Sequence, residues 1–256
     1  MIDTNVSIGH WPFHKLPGSQ PTSVTASLER NGIHQAWVNN LEGLFDRDIT
    51  SVNQRLVEFC GQAPSGLLVP FGTINPTLPA WEEDLQRCVV AHKFRGIRLH
   101  PGAHGYDLNH PALAPLLALA AERNLIVQLV VMMEDERTQH PVFRIPAVDL
   151  APLPQLVKTI PSLRLVVLNA FRKLTLDDAA TLAASGRVWF DIAMLEGVDR
   201  VSALVEKVGA ERILFGSHFP LFYIESAVLK LRETMLPGTI VEMIKVKNAQ
   251  KLFSQE

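Results

Sequence analysis

Short apolar runs alternate with amphipathic helical stretches along the whole chain. Eight runs read as strands: residues 2–8, 35–39, 67–74, 96–100, 125–131, 163–168, 188–193 and 213–216. Each is followed by apolar positions at helical spacing, near residues 23–31, 49–60, 80–91, 113–123, 148–159, 176–184, 200–208 and 223–234. A last helix is predicted over roughly 240–253. Strands as uniformly apolar as 125–131 suit a parallel sheet covered by helices. Eight βα units in 256 residues is what a (β/α)8 TIM-like barrel requires. An open doubly wound sheet would carry a Gly-rich phosphate turn after the first strand, and none follows Ile8. The pattern therefore predicts an α/β fold and a single barrel domain over residues 1–256.

The connections sharpen this reading. Links from a helix to the next strand are short. Links from a strand to the next helix are often long, as at residues 9–22, 41–48, 101–111 and 132–147. Long loops in a compact domain usually carry function, and in a barrel these all lie on the C-terminal face. The strands also end polar: Asn5 and Ser7, Asn39 and Asn40, Asn75, Arg98 and His100, Asn169, Asp191 and His218. Alternation puts Asp3, Asn5 and Ser7 on one face of the first strand, and Arg98 with His100 on one face of the fourth. If those faces point inward, they meet at the mouth of the barrel. Turn formation alone accounts for a share of the asparagines.

Composition excludes several classes. The net charge is −2 and Lys and Arg form no dense run, so no nucleic-acid footprint is expected. No apolar stretch reaches the roughly 18 residues of a membrane span. The N-terminus enters a strand directly, without the basic head and apolar stretch of a signal peptide. Cys60 and Cys88 fall in separate helices, which suits reduced thiols in a cytoplasmic protein.

Four segments resemble the amidohydrolase superfamily, in its compact amidohydrolase-2 branch. They are Ile2 and Asp3 with Gly9, residues 96–101, residues 212–217 followed by His218, Phe219 and Pro220, and Asn248, Ala249, Leu252 and Phe253 near the end. The resemblance spans essentially the whole chain and implies the barrel. It also implies a metal centre whose ligands correspond to Asn5, Ser7, a residue near Val130, Asn169 and His218. All five positions have changed. Zn²⁺ takes Cys, His or carboxylate ligands, and Asn, Ser and Val are poor substitutes. No metal and no cofactor are expected.

The residues that remain suggest metal-free chemistry. His218 is the candidate general base. Ser7 would neighbour it once the first and eighth strands meet, giving a candidate Ser–His pair. Asp191 is a candidate orienting residue. Arg98 is placed to grip a substrate carboxylate, Asn5 and Asn169 to donate to a carbonyl or oxyanion, and His100 to line the pocket with Trp11, Phe13 and Tyr106, for which loop packing is the alternative role. Asp3 is expected to buttress the barrel below it. The leading expectation is a metal-independent hydrolase of a small carboxylated lactone, ester or amide. Decarboxylation and hydration stay open, because the family includes both. A non-catalytic barrel binding a small acidic metabolite or a protein partner is the second reading, with a filled mouth or no positioned base as its mark. A relocated metal site among His10, His14, His100, His104, His110 and His218 is the third. The resemblance also allows a homodimer.

Overall fold

The computed structural model describes residues 1–13, 15–16 and 20–254. Eight strands form one sheet, each parallel to the next in chain order: β1 Ile2–Ile8, β2 Gln35–Asn40, β3 Leu68–Thr73, β4 Gly96–Leu99, β5 Ile126–Val130, β6 Arg164–Leu168, β7 Val188–Asp191 and β8 Ile213–Leu214. The sheet closes on itself through a bridge between Val6 and Phe219. Three backbone bonds complete the seam: Thr4 N–H to Phe215 O (2.9 Å), His218 N–H to Asn5 O (2.8 Å) and Ser7 N–H to Phe219 O (2.7 Å). The result is a (β/α)8 barrel, as the strand pattern predicts.

The helices are α1 Pro21–Arg30, α2 Ile49–Gly61, α3 Trp81–Val90, α4 Pro101–His104, α5 Leu113–Glu122, α6 Leu153–Lys158, α7 Leu176–Ser185, α8 Arg200–Val208, α9 Ile224–Glu233, α10 Gly238–Glu242 and α11 Asn248–Ser254. Two differ from the sequence expectation. The helix expected over 148–159 starts only at Leu153, because proline is tolerated at a helix start and not in its interior, so Pro152 and Pro154 fix the first turn here. The helix expected over 240–253 is split by a π-helical turn at Met243–Lys247. Below that turn, the Asn248 amide donates to Ala210 O (2.7 Å) and Ile213 O (2.8 Å), fastening α11 to the start of β8. Among the described residues no helix is long and apolar enough to cross a membrane.

Two apolar clusters carry the packing. One fills the layer between strands and helices, with Val38, Ile97, Val127, Leu165 and Phe190 facing Leu28, Leu56, Leu116 and Leu204. The other unites the inward residues Trp37, Phe71, Ile126, Val166 and Leu214 with Ala249 and Leu252 of α11. Trp37 and Phe71 stack at 4.9 Å. Gly96 makes room for that stack: a Cβ there would lie 2.2 Å from the Phe71 ring.

Between this stack and the mouth the interior is polar. Arg98 Nε donates to Gln128 Oε1 (2.7 Å), Nη1 to Val6 O (3.0 Å) and Ser7 Oγ (3.2 Å), and Nη2 to Trp37 O (3.3 Å). Gln128 Nε2 in turn donates to Thr4 O (2.6 Å). The β1–β2 register slips between Asp3 and Val6. The carbonyls of Thr4 and Val6, which Gln128 and Arg98 take up, belong to this irregular stretch. The guanidinium and the amide thus form a strut across the barrel, joining β4 and β5 to β1 and β2.

Candidate functional site

Above the strut, four strand-end side chains are bonded to one another. Asn5 Nδ2 donates to Asp191 Oδ2 (2.7 Å) and to Asn169 Oδ1 (2.8 Å). Asn169 Nδ2 donates to Met132 O (2.9 Å) and lies 3.2 Å from His218 Nδ1. His218 Nε2 lies 2.5 Å from Met133 O. A carbonyl only accepts, so Nε2 carries the proton and Nδ1 receives the Asn169 amide. Asp191 Oδ1 also accepts the Asn169 backbone N–H (2.8 Å). Beneath them Asp3 Oδ1 accepts from the backbone N–H of Asn5 and of Ser217, both at 3.0 Å, which ties β1 to the end of β8. Asn169 and His218 both adopt left-handed backbone, with φ of 58° and 61°. Asn tolerates that conformation and His does so less readily, so the network over-determines the His218 turn.

Burial sets the charges of this layer. Asp3, Asn5, Asp191, Asn169 and His218 are all at most 2% exposed. Burial pushes the Asp3 carboxyl up to about 7 and raises Asp191, the latter opposed by its bonds from Asn5 and Asn169. Burial holds His218 down to about 4, so its imidazole is neutral near pH 7. Arg98 is lowered to about 9, again chiefly by burial.

The structure brings Asn5, Asn169, Asp191 and His218 together, but not in the roles expected of them. His218 has both ring nitrogens engaged, one by Asn169 and one by Met133, and neither by Ser7. The Ser7 hydroxyl instead receives Arg98, so no Ser–His pair forms. Four of the five Arg98 N–H groups are spent on protein acceptors inside the barrel, which leaves no fork for a substrate carboxylate. Asp191 holds Asn5 and Asn169 rather than an imidazole.

The donor set does not fit the family's metal centre either. Asn5 Nδ2, the Asn169 amide and both His218 ring nitrogens are already paired within the protein, Asn5 Oδ1 alone of these atoms is left over, and Val130 offers no donor atom. Among the described residues no three His, Cys, Asp or Glu side chains converge as a metal site. Of the histidines considered for a relocated site, His10 is exposed, His218 is committed to the network, and His14 lies outside the described residues.

The mouth itself is roofed. Trp11 and Phe13 from the loop after β1, Phe45 from the loop after β2, and Phe143 from the loop after β5 pack edge-on or stacked, with centroids 4.7–5.9 Å apart. Trp11, expected to line the pocket, is buried in this roof. Beneath it lies a slit with about 160 Å³ of space between atoms and no room for a water molecule, lined by His100, Ala103, Val130, Met132, Met133 and Ile145. At the rim Arg172 joins the loops after β5 and β7 by bonds to Asp135 (2.5 Å) and Glu196. A larger cavity, about 590 Å³, lies between residues 147–154 and α7 and is lined by none of the residues of the polar layer.

Sequence reasoning missed Gln128, and it singled out Asn39 as a strand-end residue and His104 as a candidate ligand without their bonds. Gln128 is the lone polar residue inside an otherwise apolar strand, a signal that was legible. Asn39 bonds Phe71 O and Thr73 Oγ1 through Nδ2, and His100 Nε2 through Oδ1 at 3.1 Å. Only the folded register reveals that pairing.

Comparison with solved structures finds the same barrel throughout. A 5-carboxyvanillate decarboxylase of Novosphingobium aromaticivorans, solved with bound manganese, superposes with a TM-score of 0.75 at 15% identity, over 99% of this chain and 97% of that one. A 5-carboxyvanillate decarboxylase of Sphingomonas paucimobilis gives 0.74 at 13% identity, over 100% and 99%. A 2,6-dihydroxybenzoate decarboxylase from Rhizobium gives 0.71 at 17%, over 98% and 97%. At such identities the likeness concerns the fold. No curated protein matches the chain in sequence. The amidohydrolase family model, however, matches residues 20–255. With the barrel, the strand-end polar layer and that match together, the chain belongs to the amidohydrolase family.

Proposed function

We propose that this protein is a metal-independent member of its family that binds a small organic molecule at the mouth of the barrel and does not turn it over by the family's metal chemistry. The observation that carries this reading is the pairing of Asn5, Asn169, Asp191 and His218 with one another. Apart from Asn5 Oδ1, the polar atoms of these side chains that would have to meet a metal or an attacking water are engaged within the protein. The filled slit and the aromatic roof agree with a site that opens only to admit its ligand.

A second reading, metal-free hydrolysis of a lactone, ester or amide, is favoured by one feature. The only basic lone pair of His218, on Nδ1, is held by the longest side-chain bond of the layer, 3.2 Å from Asn169. Release of that amide would expose a neutral imidazole to a ligand. Its low pKa makes it a weak base, because forming a buried imidazolium is costly.

The two readings separate in one experiment. A panel of small lactones, esters, amides and hydroxybenzoates is screened for thermal shift and for turnover on EDTA-treated protein. Binding without turnover supports the first reading. Turnover that survives EDTA and falls in His218→Gln supports the second. Turnover that EDTA abolishes and Zn²⁺ or Mn²⁺ restores refutes both.

A further inference from the structure

The starts of the strands, on the face opposite the mouth, gather positive charge. Arg95 immediately precedes β4, Arg164 begins β6, Arg187 immediately precedes β7 and Arg212 immediately precedes β8. Two of these hold the end of α11: Arg95 Nη2 donates to Phe253 O (3.0 Å) and Arg164 Nη1 to Leu252 O (2.9 Å). Cations on the last carbonyls of a helix have an ordinary structural use. Arg187 and Arg212, with Lys251 of α11, line a cavity of about 330 Å³ whose other walls are Trp189, Glu211, Asn248 and Leu252. That volume lies at the lower edge of the roughly 300–1,000 Å³ usual for ligand pockets.

In this cavity the cations outnumber their counter-charges. Arg212 makes a single hydrogen bond among the described residues, a long one from Nη1 to Val188 O (3.5 Å), and no ion pair. Its guanidinium carbon lies over the Trp189 ring, 5.3 Å from the centroid, and Trp189 is held in turn by the bond from its Nε1 to Glu211 O (3.0 Å). A guanidinium laid on an aromatic face keeps its N–H edge for an oxyanion. The Lys251 ammonium has no acceptor among the described residues. Glu211, the carboxylate of the lining, pairs with neither; its oxygens sit beside Gly209, where a Cβ would come within 2.6 and 2.8 Å of them. Three cations against that carboxylate leave an excess of two positive charges. A phosphate group carries about −1.5 to −2 near pH 7. The same field reaches Arg164, which burial lowers to about 10 while Arg187 and Arg95 push the same way.

We propose that this cavity is a binding site for a phosphoryl group, as free phosphate or as a small phosphate monoester, received by the guanidinium groups of Arg187 and Arg212 and the ammonium of Lys251. The site stands apart from the mouth, so either reading can fail alone. Lys251 rides on α11 while Arg187 and Arg212 precede β7 and β8, so a bound phosphoryl group ties the last helix to the sheet and stabilises the fold by mass action.

The test is calorimetric titration of glycerol 3-phosphate, inorganic phosphate and acetate into the full-length protein at matched ionic strength, with thermal unfolding of the same samples. The expected result is a Kd below about 1 mM for a phosphoryl compound, a raised midpoint temperature, and acetate at least about tenfold weaker. Glycerol 3-phosphate binding tighter than inorganic phosphate identifies the ester as the ligand, and equal affinity identifies the free anion. Arg212→Gln and Lys251→Gln should each weaken binding about tenfold. Arg137→Gln, which alters a cation paired with Asp135 in the loop after β5, should leave it unchanged. Lys251 is exposed and its ammonium holds nothing in the fold, so that variant decides the point should Arg212→Gln unfold. No binding up to about 10 mM, acetate as tight as phosphate, or affinity unmoved by Lys251→Gln overturns the proposal. Binding seen only after removal of residues 255–256, Glu256 among them, overturns it for the protein as it exists.

Discussion

Asn169→Ala tests whether the strand-end layer holds the barrel together. The substitution removes the bonds from Asn169 Nδ2 to Met132 O and His218 Nδ1, and the bond that its Oδ1 accepts from Asn5. All three partners are buried, and each buried group left unpaired costs roughly 1–3 kcal/mol. At the low end that amounts to about 3 kcal/mol. The backbone adds to it, because Asn169 sits at φ 58° and alanine pays about 1 kcal/mol more there than asparagine. The expected loss is about 4 kcal/mol, or roughly 8–16 °C in midpoint temperature for a chain of this size. Urea unfolding followed by circular dichroism and by tryptophan fluorescence measures it. Asn169→Gly separates the parts, since glycine keeps the turn and loses only the bonds. Asn5→Ala and the double variant complete a cycle, with an expected coupling of about 1 kcal/mol from the shared Asn5–Asn169 bond. A loss below about 1 kcal/mol for Asn169→Ala, or strict additivity in the cycle, refutes the reasoning.

Three further outcomes are expected. First, the two buried acid–base groups oppose each other in pH. His218 is held down to about 4 from 6.5, so its contribution is whole above about 6.5 and is lost as pH falls towards 4; Asp3 is pushed up to about 7 from 3.8, so its contribution is whole below about 3.8 and is lost as pH rises towards 7. Relative to the unaltered protein, Asp3→Asn should therefore gain stability as pH rises from 4 to 7, and His218→Gln should gain it as pH falls from 6.5 to 4, each by up to about 3–4 kcal/mol. Parallel stability curves for all three proteins would contradict this. Second, overnight dialysis against EDTA should move the midpoint temperature by less than about 1 °C, and added Zn²⁺ or Mn²⁺ should not raise it. Third, Gly96→Ala should cost more than about 2 kcal/mol, because the new Cβ meets the Phe71 ring at 2.2 Å and Ile126 O at 2.6 Å. The stacked Trp37 leaves that ring nowhere to go, and a mild effect in urea unfolding would show the stack to be looser than its geometry implies.

The barrel was legible because period and spacing report burial directly. Apolar strands separated by helical stretches admit few topologies, and every expected strand is present within a few residues. The eighth is shorter than expected, since beyond Leu214 the chain bonds to β1 residue by residue instead of laddering. The polar strand ends were equally visible, and Asn5, Asn169, Asp191 and His218 do meet. What the sequence could not show is who takes whose hydrogen bond. Arg98 reads as a carboxylate fork when only its residue type and strand end are known. The slipped register of β1 turns the Val6 carbonyl towards it and the Thr4 carbonyl towards Gln128, which makes the pair a strut. Ser7 is captured by the same guanidinium. The roof was hidden because Phe13, Phe45 and Phe143 come from three loops with no common period.

The closure of β1 against β8 has a bearing on how the cell must handle this chain. A barrel whose mouth is fastened by a bound ion exists in two populations, loaded and empty, and their ratio follows the ion's supply. Here the fastening is written in amide and imidazole groups that arrive with the polypeptide. On the metal-independent reading proposed above, folding contains no concentration of an external partner, and the native population is expected to stay constant through metal starvation or excess. On that reading the protein needs no delivery factor and offers chelators and competing ions no handle.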